Sequence, residues 1–137
     1  MITPEQADTV QKAVRYYLNP FEELLLAMIA AEGGADAFVK AVQCSLPGCD
    51  SFEVAVARAC KTIRNRFIDG IAIENPFKTK LAGPIDPITN EPNPRCLAVS
   101  DTFVDLLAAR WAPIGASNDP TGLNKNFAVN VKAIINH

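Results

Sequence analysis

The sequence predicts an all-α fold, a single domain over residues 1–137 with about six helices and one long irregular insertion over residues 69–99. Three observations predict this fold. Apolar residues recur at helical spacing along most of the chain, helix-capping signatures precede several of these segments, and one proline-rich stretch interrupts them. A chain of 137 residues is long enough to bury a core without disulfides or metal ions.

The first helix is predicted to begin with a capping box. Thr3 and Gln6 stand at the two positions of the box, and Pro4 occupies the first helical position. One apolar stripe follows, formed by Val10, Val14, Tyr17 and Leu18. This spacing predicts an amphipathic helix with a single buried face.

The second helix is predicted over residues 20–32. Asn19, Pro20 and Glu22 repeat the capping signature in front of it. Its apolar residues, which cover most of the helix circumference, are Leu24, Leu25, Leu26, Met28 and Ile29. A helix that is apolar nearly all round is expected to lie buried at the centre of the domain.

The third and fourth helices show one apolar face each. The buried face of a short third helix is predicted to consist of Ala35, Phe38 and Val42, and the LPG sequence at 46–48 ends that helix. Asp50 and Glu53 are predicted to cap a long fourth helix that runs to about Ile68. Its inward residues are predicted to be Phe52, Val56, Ala59, Ile63 and Phe67. Its outward residues are predicted to be Arg58, Lys61 and Arg64.

The pattern changes between Asp69 and Val99. Five prolines fall in this stretch, namely Pro76, Pro84, Pro87, Pro92 and Pro94, and the IAI sequence at 71–73 is its one indication of a strand. An irregular segment of this length inside a compact domain is typical of a lid or a cleft wall. A solvated crossover that packs on its own prolines is the alternative, and both readings remain open.

Two further helices follow the insertion. Ser100 is predicted to cap the first of them, which carries Phe103, Leu106, Leu107 and Trp111. After the turn-rich APIGASNDPTG sequence, a last helix is predicted over roughly residues 124–136. Its apolar face is Phe127, Val131 and Ile134.

Charge and hydropathy exclude several classes of partner. The net charge is −2 and no block of lysine and arginine occurs, which argues against nucleic acid and favours a neutral or sugar-like ligand. No apolar stretch reaches the ~20 residues of a transmembrane helix. The opening MITPEQ lacks the basic and apolar regions of a secretory signal. Either the protein is cytoplasmic when made, or a removed leader precedes this sequence.

The four cysteines are Cys44, Cys49, Cys60 and Cys96. Their spacings match no compact zinc pattern, and the one histidine is the terminal His137, so we expect neither a metal nor another cofactor. A Cys44–Cys49 disulfide across SLPG is sterically feasible, whereas a chain without a leader favours reduced thiols. Both states remain open.

Glu32 is the candidate catalytic residue. In AMIAAEGG, residues 27–34, an apolar helix stops on this acid, although the negative end of the helix dipole disfavours a carboxylate there. Glu32 shares a face with Leu25 and Met28, so burial is expected to raise its pKa, as a general acid requires. Gly33 and Gly34 allow a left-handed turn and the close approach of a ligand. A polar helix stop at the domain rim is the alternative.

Two segments carry a resemblance to a known family. A buried helix that ends on glutamate, early in a small α-helical domain, resembles the lysozyme-like superfamily of lytic transglycosylases, phage endolysins and autolysin glucosaminidases. Residues 111–135, WAPIGASNDPTGLNKNFAVNVKAII, are similar to the glucosaminidase segment in which an aromatic-Ala step leads to Asp-Pro, an aromatic residue and a valine-isoleucine helix. The two segments cover about a quarter of the chain. Gly33 stands where transglycosylases usually carry serine, and Trp111 stands where glucosaminidases carry tyrosine.

The resemblance implies a glycosidase that cleaves β-1,4 bonds of the peptidoglycan glycan strand, with Glu32 as its single general acid/base. The substrate-binding residues it implies are Gly33, Gly34, Trp111, Asn118, Asp119 and Asn124. Trp111 would stack on a sugar, and the asparagines would hydrogen-bond acetamido and hydroxyl groups. The choice of a second carboxylate stays open among Asp69, Asp86, Asp105 and Asp119. Without a leader, a phage virion, a holin or another export route would bring the protein to the cell wall.

Two other classes of function remain open. The domain could keep the lysozyme-like fold without activity, as a wall-binding or virion structural part. It could also be a helical protein-interaction module whose proline-rich loop docks a partner. The burial of Glu32 argues against the inactive domain, and an interaction module would form no cleft around Glu32.

Overall fold

The computed structural model describes residues 2–19, 21–74, 101–112, 122 and 124–135, with the backbone alone at residues 68–74 and 102. The described residues form six α-helices and no strand, so the predicted all-α class is confirmed. The helices are α1 (Pro4–Tyr16), α2 (Glu22–Ala31), α3 (Ala35–Gln43), α4 (Phe52–Glu74), α5 (Asp101–Trp111) and α6 (Lys125–Ile135).

α2 lies at the centre of the bundle, as its composition predicts. It packs against α1, α3, α4 and α6. Its buried residues are Leu24, Leu25, Ala27, Met28 and Ile29. Each large apolar side chain among them contributes about 1.5–3 kcal/mol through burial. Leu26 was expected to be buried but is 38% exposed, because the neighbouring helices leave one narrow side of α2 uncovered.

The capping box of α1 is confirmed. The N–H of Gln6 donates to Oγ1 of Thr3 at 3.1 Å, and the N–H of Thr3 donates to Oε1 of Gln6 at 2.9 Å. The two capping-box bonds satisfy two backbone donors that a helix N-terminus otherwise leaves without partners.

The apolar stripe of α1 is buried in part. Val10 is fully buried, whereas Val14, Tyr17 and Leu18 of the predicted stripe are half-buried.

The start of α2 differs from the prediction, because the helix begins at Glu22 and its N-cap, Phe21, makes no side-chain capping bond. Asn19 is buried instead, and its Oδ1 accepts the N–H of Phe21 at 2.8 Å. Its Nδ2 donates to Sγ of Cys60 in α4 at 3.7 Å. Asn19 therefore joins the α1–α2 turn to α4 and does not cap α2.

Both ends of α4 also differ from the prediction. Ser51, and not Asp50, caps the helix, since its Oγ accepts the N–H of Val54 at 3.2 Å. The helix continues past Ile68 to Glu74, so the strand indicated by IAI is wrong, and residues 69–74 are helical instead of irregular. The rest of the predicted insertion, residues 75–99, lies outside the described residues. Helix extension adds one hydrogen bond per residue, which outweighs the weak strand preference of isoleucine. The inward face is confirmed, with Val56, Ala59, Ile63 and Phe67 buried and Phe52 half-buried.

α5 and α6 complete the core. Phe103, Val104 and Leu107 of α5 and Phe127 and Val131 of α6 are buried. Ile134 is 41% exposed and does not extend the buried face of α6 as predicted, because the neighbouring Ile135 is the residue of the last turn that packs against the core. The rings of Phe21, Phe67 and Phe103 form an aromatic cluster with centroid separations of 4.9–5.7 Å. This cluster joins the start of α2 to α4 and α5.

Three cysteines are described, and all three are free thiols. A Cys44–Cys49 disulfide is therefore absent from the structure. Burial raises the pKa of the Cys60 thiol to about 11, although the hydrogen bond from Asn19 acts in the opposite direction. Cys96 lies outside the described residues.

Among the described helices, none combines the length and the apolar character that crossing a bilayer requires.

Candidate functional site at the α2–α3 corner

α2 ends in a Schellman motif. The N–H of Gly34 donates to the carbonyl of Ile29 at 3.0 Å, and the N–H of Gly33 donates to the carbonyl of Ala30 at 3.1 Å. Gly33 has a φ of 103°, which glycine adopts without a steric penalty. A Cβ at this position would lie 3.6 Å from Cβ of Ala37, an ordinary contact. The backbone angle, and not a lack of space, therefore selects glycine at residue 33.

Gly34 turns the chain directly into α3. Its φ of 117° and ψ of −175° fall in a region that is essentially restricted to glycine. Its carbonyl accepts the N–H of Phe38 at 2.9 Å, in the first turn of α3. Gly34 is buried and Gly33 is exposed, so of the two glycines only Gly33 leaves open surface beside Glu32.

Glu32 occupies the C-cap position of α2. Its N–H donates to the carbonyl of Met28 at 3.2 Å, which continues the helical pattern to this residue. The side chain is half-buried, and its carboxyl group has no hydrogen bond or ion pair with the residues that the structure describes. Burial raises the pKa of Glu32 above the ordinary value of 4.5. The predicted burial and raised pKa are thus confirmed, whereas the catalytic role stays a prediction.

Trp111, at the end of α5, contacts the helix that follows Glu32. Its ring stacks on the ring of Phe38, with a centroid separation of 6.0 Å and an interplanar angle of 12°. Phe38 is fully buried and Trp111 is half-buried, so one face of the indole belongs to the core. Stacking on a sugar, the role that the resemblance implies for Trp111, would use the other face of the ring.

Asn124 lies in a different place, a groove between α5 and α6. This groove has a volume of about 410 Å³, and its lining is Asp105, Ala108, Ala109, Ala112, Asn124, Lys125 and Ala128. Neither Glu32 nor Trp111 is part of that lining. The groove nevertheless continues along α5 to Ala112, the residue after Trp111.

Asp105 is the one candidate second carboxylate whose side chain is described. It is exposed, and its Oδ1 forms an ion pair with Nζ of Lys132 at 2.7 Å. Asp69 lies in α4, where only the backbone is described. Asp86, Asn118 and Asp119 lie outside the described residues, so their predicted roles stay predictions.

A second pocket, between the end of α1 and α4, was not predicted from the sequence. Its lining consists of Tyr16, Tyr17, Leu18, Lys61, Arg64 and Asn65. The available signals were two adjacent tyrosines at the end of one amphipathic segment and two basic residues on the outward face of another. Helical periodicity describes each segment alone and does not show that these two faces meet.

No group of three or more His, Cys, Asp or Glu side chains within the described ranges is arranged to hold a metal ion. Comparisons of the chain with protein-family models, with curated proteins and with solved structures give no match. The all-α fold therefore stands on the helices themselves. A functional assignment has to rest on the chemistry of Glu32 and the residues around it.

Proposed function

We propose that this protein is a peptidoglycan glycosidase that cleaves β-1,4 bonds of the glycan strand, with Glu32 as its single general acid/base. The observation that carries the proposal is the state of the Glu32 carboxyl group. It is half-buried at the end of the central helix, without an ion pair to the described residues, and burial raises its pKa. A raised pKa keeps the acid protonated closer to neutral pH, where it can serve as a proton donor.

The reaction needs one proton transfer in each direction. Protonated Glu32 gives its proton to the glycosidic oxygen as the bond to the anomeric carbon breaks and oxocarbenium character develops. The resulting carboxylate then takes a proton from the attacking group. That group is water in hydrolysis, or a hydroxyl of the same sugar if an anhydro ring closes. Stabilisation of the cationic centre by the substrate's own acetamido group makes a second carboxylate unnecessary.

Substrate binding is assigned to the surface around the corner. Gly33 is exposed beside Glu32, so a bulky sugar can approach the acid there. Trp111 packs one face on Phe38 in the first turn of α3, and stacking on a second sugar is assigned to its other face. Hydrogen bonds to sugars farther along the glycan strand are assigned to Asn124 in the α5–α6 groove and to Asn118 and Asp119.

Digestion of purified peptidoglycan tests the proposal. Wild type, Glu32→Gln and the control Glu23→Gln are incubated with the polymer, and mass spectrometry identifies the released fragments. Glu23 is exposed in the first turn of the same helix, so its replacement makes the same chemical change away from the corner. We expect Glu32→Gln to lower the rate of release by at least about 100-fold and Glu23→Gln to leave it near wild type.

The fragment masses also separate the two reaction classes, because hydrolysis adds one water for each bond broken and anhydro-sugar formation adds none. Equal rates of fragment release for wild type and Glu32→Gln would show that Glu32 is not the general acid. If the folded wild-type protein co-sediments with peptidoglycan but releases no fragment, the protein is a wall-binding domain and not an enzyme.

A further inference from the structure

The pocket between the end of α1 and α4 has the composition of a ligand site. It has a volume of about 430 Å³, within the range of small-molecule sites. Its lining combines two aromatic side chains, two cationic side chains and one amide, and it includes no carboxylate. The lining is therefore positively charged, although the whole chain has a net charge of −2.

The two cations of the pocket are held differently. Nζ of Lys61 lies 5.1 Å from the centroid of the Tyr17 ring, a cation–π contact that positions the ammonium group. Nε of Arg64 is buried and has no hydrogen-bond partner among the residues that the structure describes. A buried polar atom without a partner is uncommon in folded proteins and calls for an explanation, such as a bound ligand.

The aromatic side of the pocket is open. The side chain of Tyr16 is 79% exposed, and its ring meets the Tyr17 ring edge to face at a centroid separation of 4.8 Å. Leaving so much of a large aromatic ring in water forgoes the stabilisation that its burial would give. A planar group bound in the pocket would cover this ring.

The backbone beside the pocket is strained. α1 ends in a Schellman motif, in which the N–H of Asn19 donates to the carbonyl of Val14 at 3.0 Å and the N–H of Leu18 donates to that of Arg15 at 3.4 Å. Leu18 has a φ of 55°, in the left-handed region that usually holds glycine. Leu18 is also part of the pocket lining, so a leucine side chain is kept there at a cost in backbone strain.

We propose that this pocket binds a small organic phosphate that carries a planar ring. Arg64 and Lys61 hold the phosphate, because a guanidinium fork and a nearby ammonium match a dianionic oxyanion. Tyr16 and Leu18 contact the ring. The inference does not depend on Glu32 or on glycosidase activity.

Titration with phenyl phosphate, followed by NMR, tests the site. The probe combines both parts of the inferred ligand, and inorganic phosphate and phenol supply the parts separately. The Nε–H resonance of Arg64, assigned by its loss in Arg64→Lys, reports directly on the buried donor. We expect this resonance to shift saturably with phenyl phosphate, and we expect the affinity to exceed that for either fragment by about tenfold or more.

Two variants and a matched control locate the binding. Arg64→Lys keeps the charge but removes the guanidinium fork, and it is expected to weaken phenyl phosphate binding about tenfold. Tyr16→Ala, a change at an exposed side chain, is expected to weaken it about fivefold. Arg58→Lys, on the exposed part of the same helix, is expected to leave it unchanged.

Three results would overturn the inference. One is an Arg64 Nε–H resonance that does not move. Another is a shift that grows linearly without saturation. The third is equal weakening by Arg58→Lys and Arg64→Lys. If inorganic phosphate bound as tightly as phenyl phosphate, the ring-binding part would be wrong.

Discussion

α1 and α2 end in the same backbone motif, and the residue in the left-handed position differs between them. At the end of α2 this position is Gly33, with a φ of 103°. At the end of α1 it is Leu18, with a φ of 55°. Each motif places a chemically distinctive residue at the C-cap, Glu32 in α2 and Tyr17 in α1.

The two helix ends differ in the backbone strain that the left-handed residue introduces. A left-handed conformation is free of steric penalty for glycine but costs roughly 1–2 kcal/mol for a residue with a side chain. The α2–α3 corner is thus built from relaxed backbone, and its distinctive feature is a half-buried acid. The end of α1 keeps a strained leucine, and its distinctive feature is a pocket of aromatic and basic residues. The same motif therefore supports two different surfaces.

The largest expected effect comes from Gly34→Ala. The φ and ψ of Gly34 are essentially restricted to glycine, so an added Cβ should lower the free energy of unfolding by about 1–3 kcal/mol. Gly48→Ala is the matched control, because nothing lies within 4 Å of a Cβ at that position. Urea unfolding measures both. Equal losses at Gly48 and Gly34 would contradict the explanation from the backbone angles of Gly34, and no loss at Gly34 would show that the corner does not need this glycine.

Leu18→Gly should have a smaller effect. Glycine relieves the strain at φ 55°, but it also removes the half-buried leucine side chain and loosens the unfolded chain. These terms oppose each other, so we expect a net change within about 1 kcal/mol. The same urea experiment measures it. A loss above about 3 kcal/mol, the size expected for a core truncation, would mean that Leu18 is a core residue and not a strained pocket residue.

Glu32→Gln should change the dependence of stability on pH. Because the folded-state pKa of Glu32 is raised, its contribution is fully present below the unfolded pKa and is lost as pH rises through the folded pKa. Glutamine stays neutral throughout, so the variant should gain stability relative to wild type between pH 4 and pH 7. The gain should be small, since the side chain is only half-buried.

Unfolding in urea at the two pH values measures this gain. Asp105→Asn provides the contrast, because it removes an exposed ion pair to Lys132 and should cost up to about 1 kcal/mol at pH 7. A loss of stability for Glu32→Gln between pH 4 and pH 7 would contradict burial as the cause of the raised pKa.

Local signals in the sequence predicted much of the fold. The capping box at Thr3 and the apolar face of α3 involve residues within a few positions of each other, and both are confirmed. Ser51 caps α4 where Asp50 was predicted, because serine and aspartate cap helices about equally well and only the three-dimensional contacts decide between neighbours. Asn19 does not cap α2 as predicted, because its amide group contacts Cys60, a residue far away in the sequence.

The site was predictable only in its local part. The spacing of Glu32 from Leu25 and Met28 indicated burial, since one helix carries all three residues. The stacking of Trp111 on Phe38 joins helices far apart in the sequence, and so does the meeting of Tyr17 with Lys61. Periodicity gives the direction of a side chain on its own helix but not the partner that it meets there.

We attribute the raised pKa of Glu32 to its burial at the α2–α3 corner. NMR titration of the side-chain carboxyl carbon of Glu32 tests this claim most directly. The resonance is assigned by its loss in Glu32→Gln, and its shift is followed between pH 3 and pH 9. The expected result is a titration midpoint above the ordinary value of 4.5 that returns toward that value when urea unfolds the chain. A midpoint at or below 4.5 in the folded protein would contradict the claim and remove the main support for Glu32 as the proton donor.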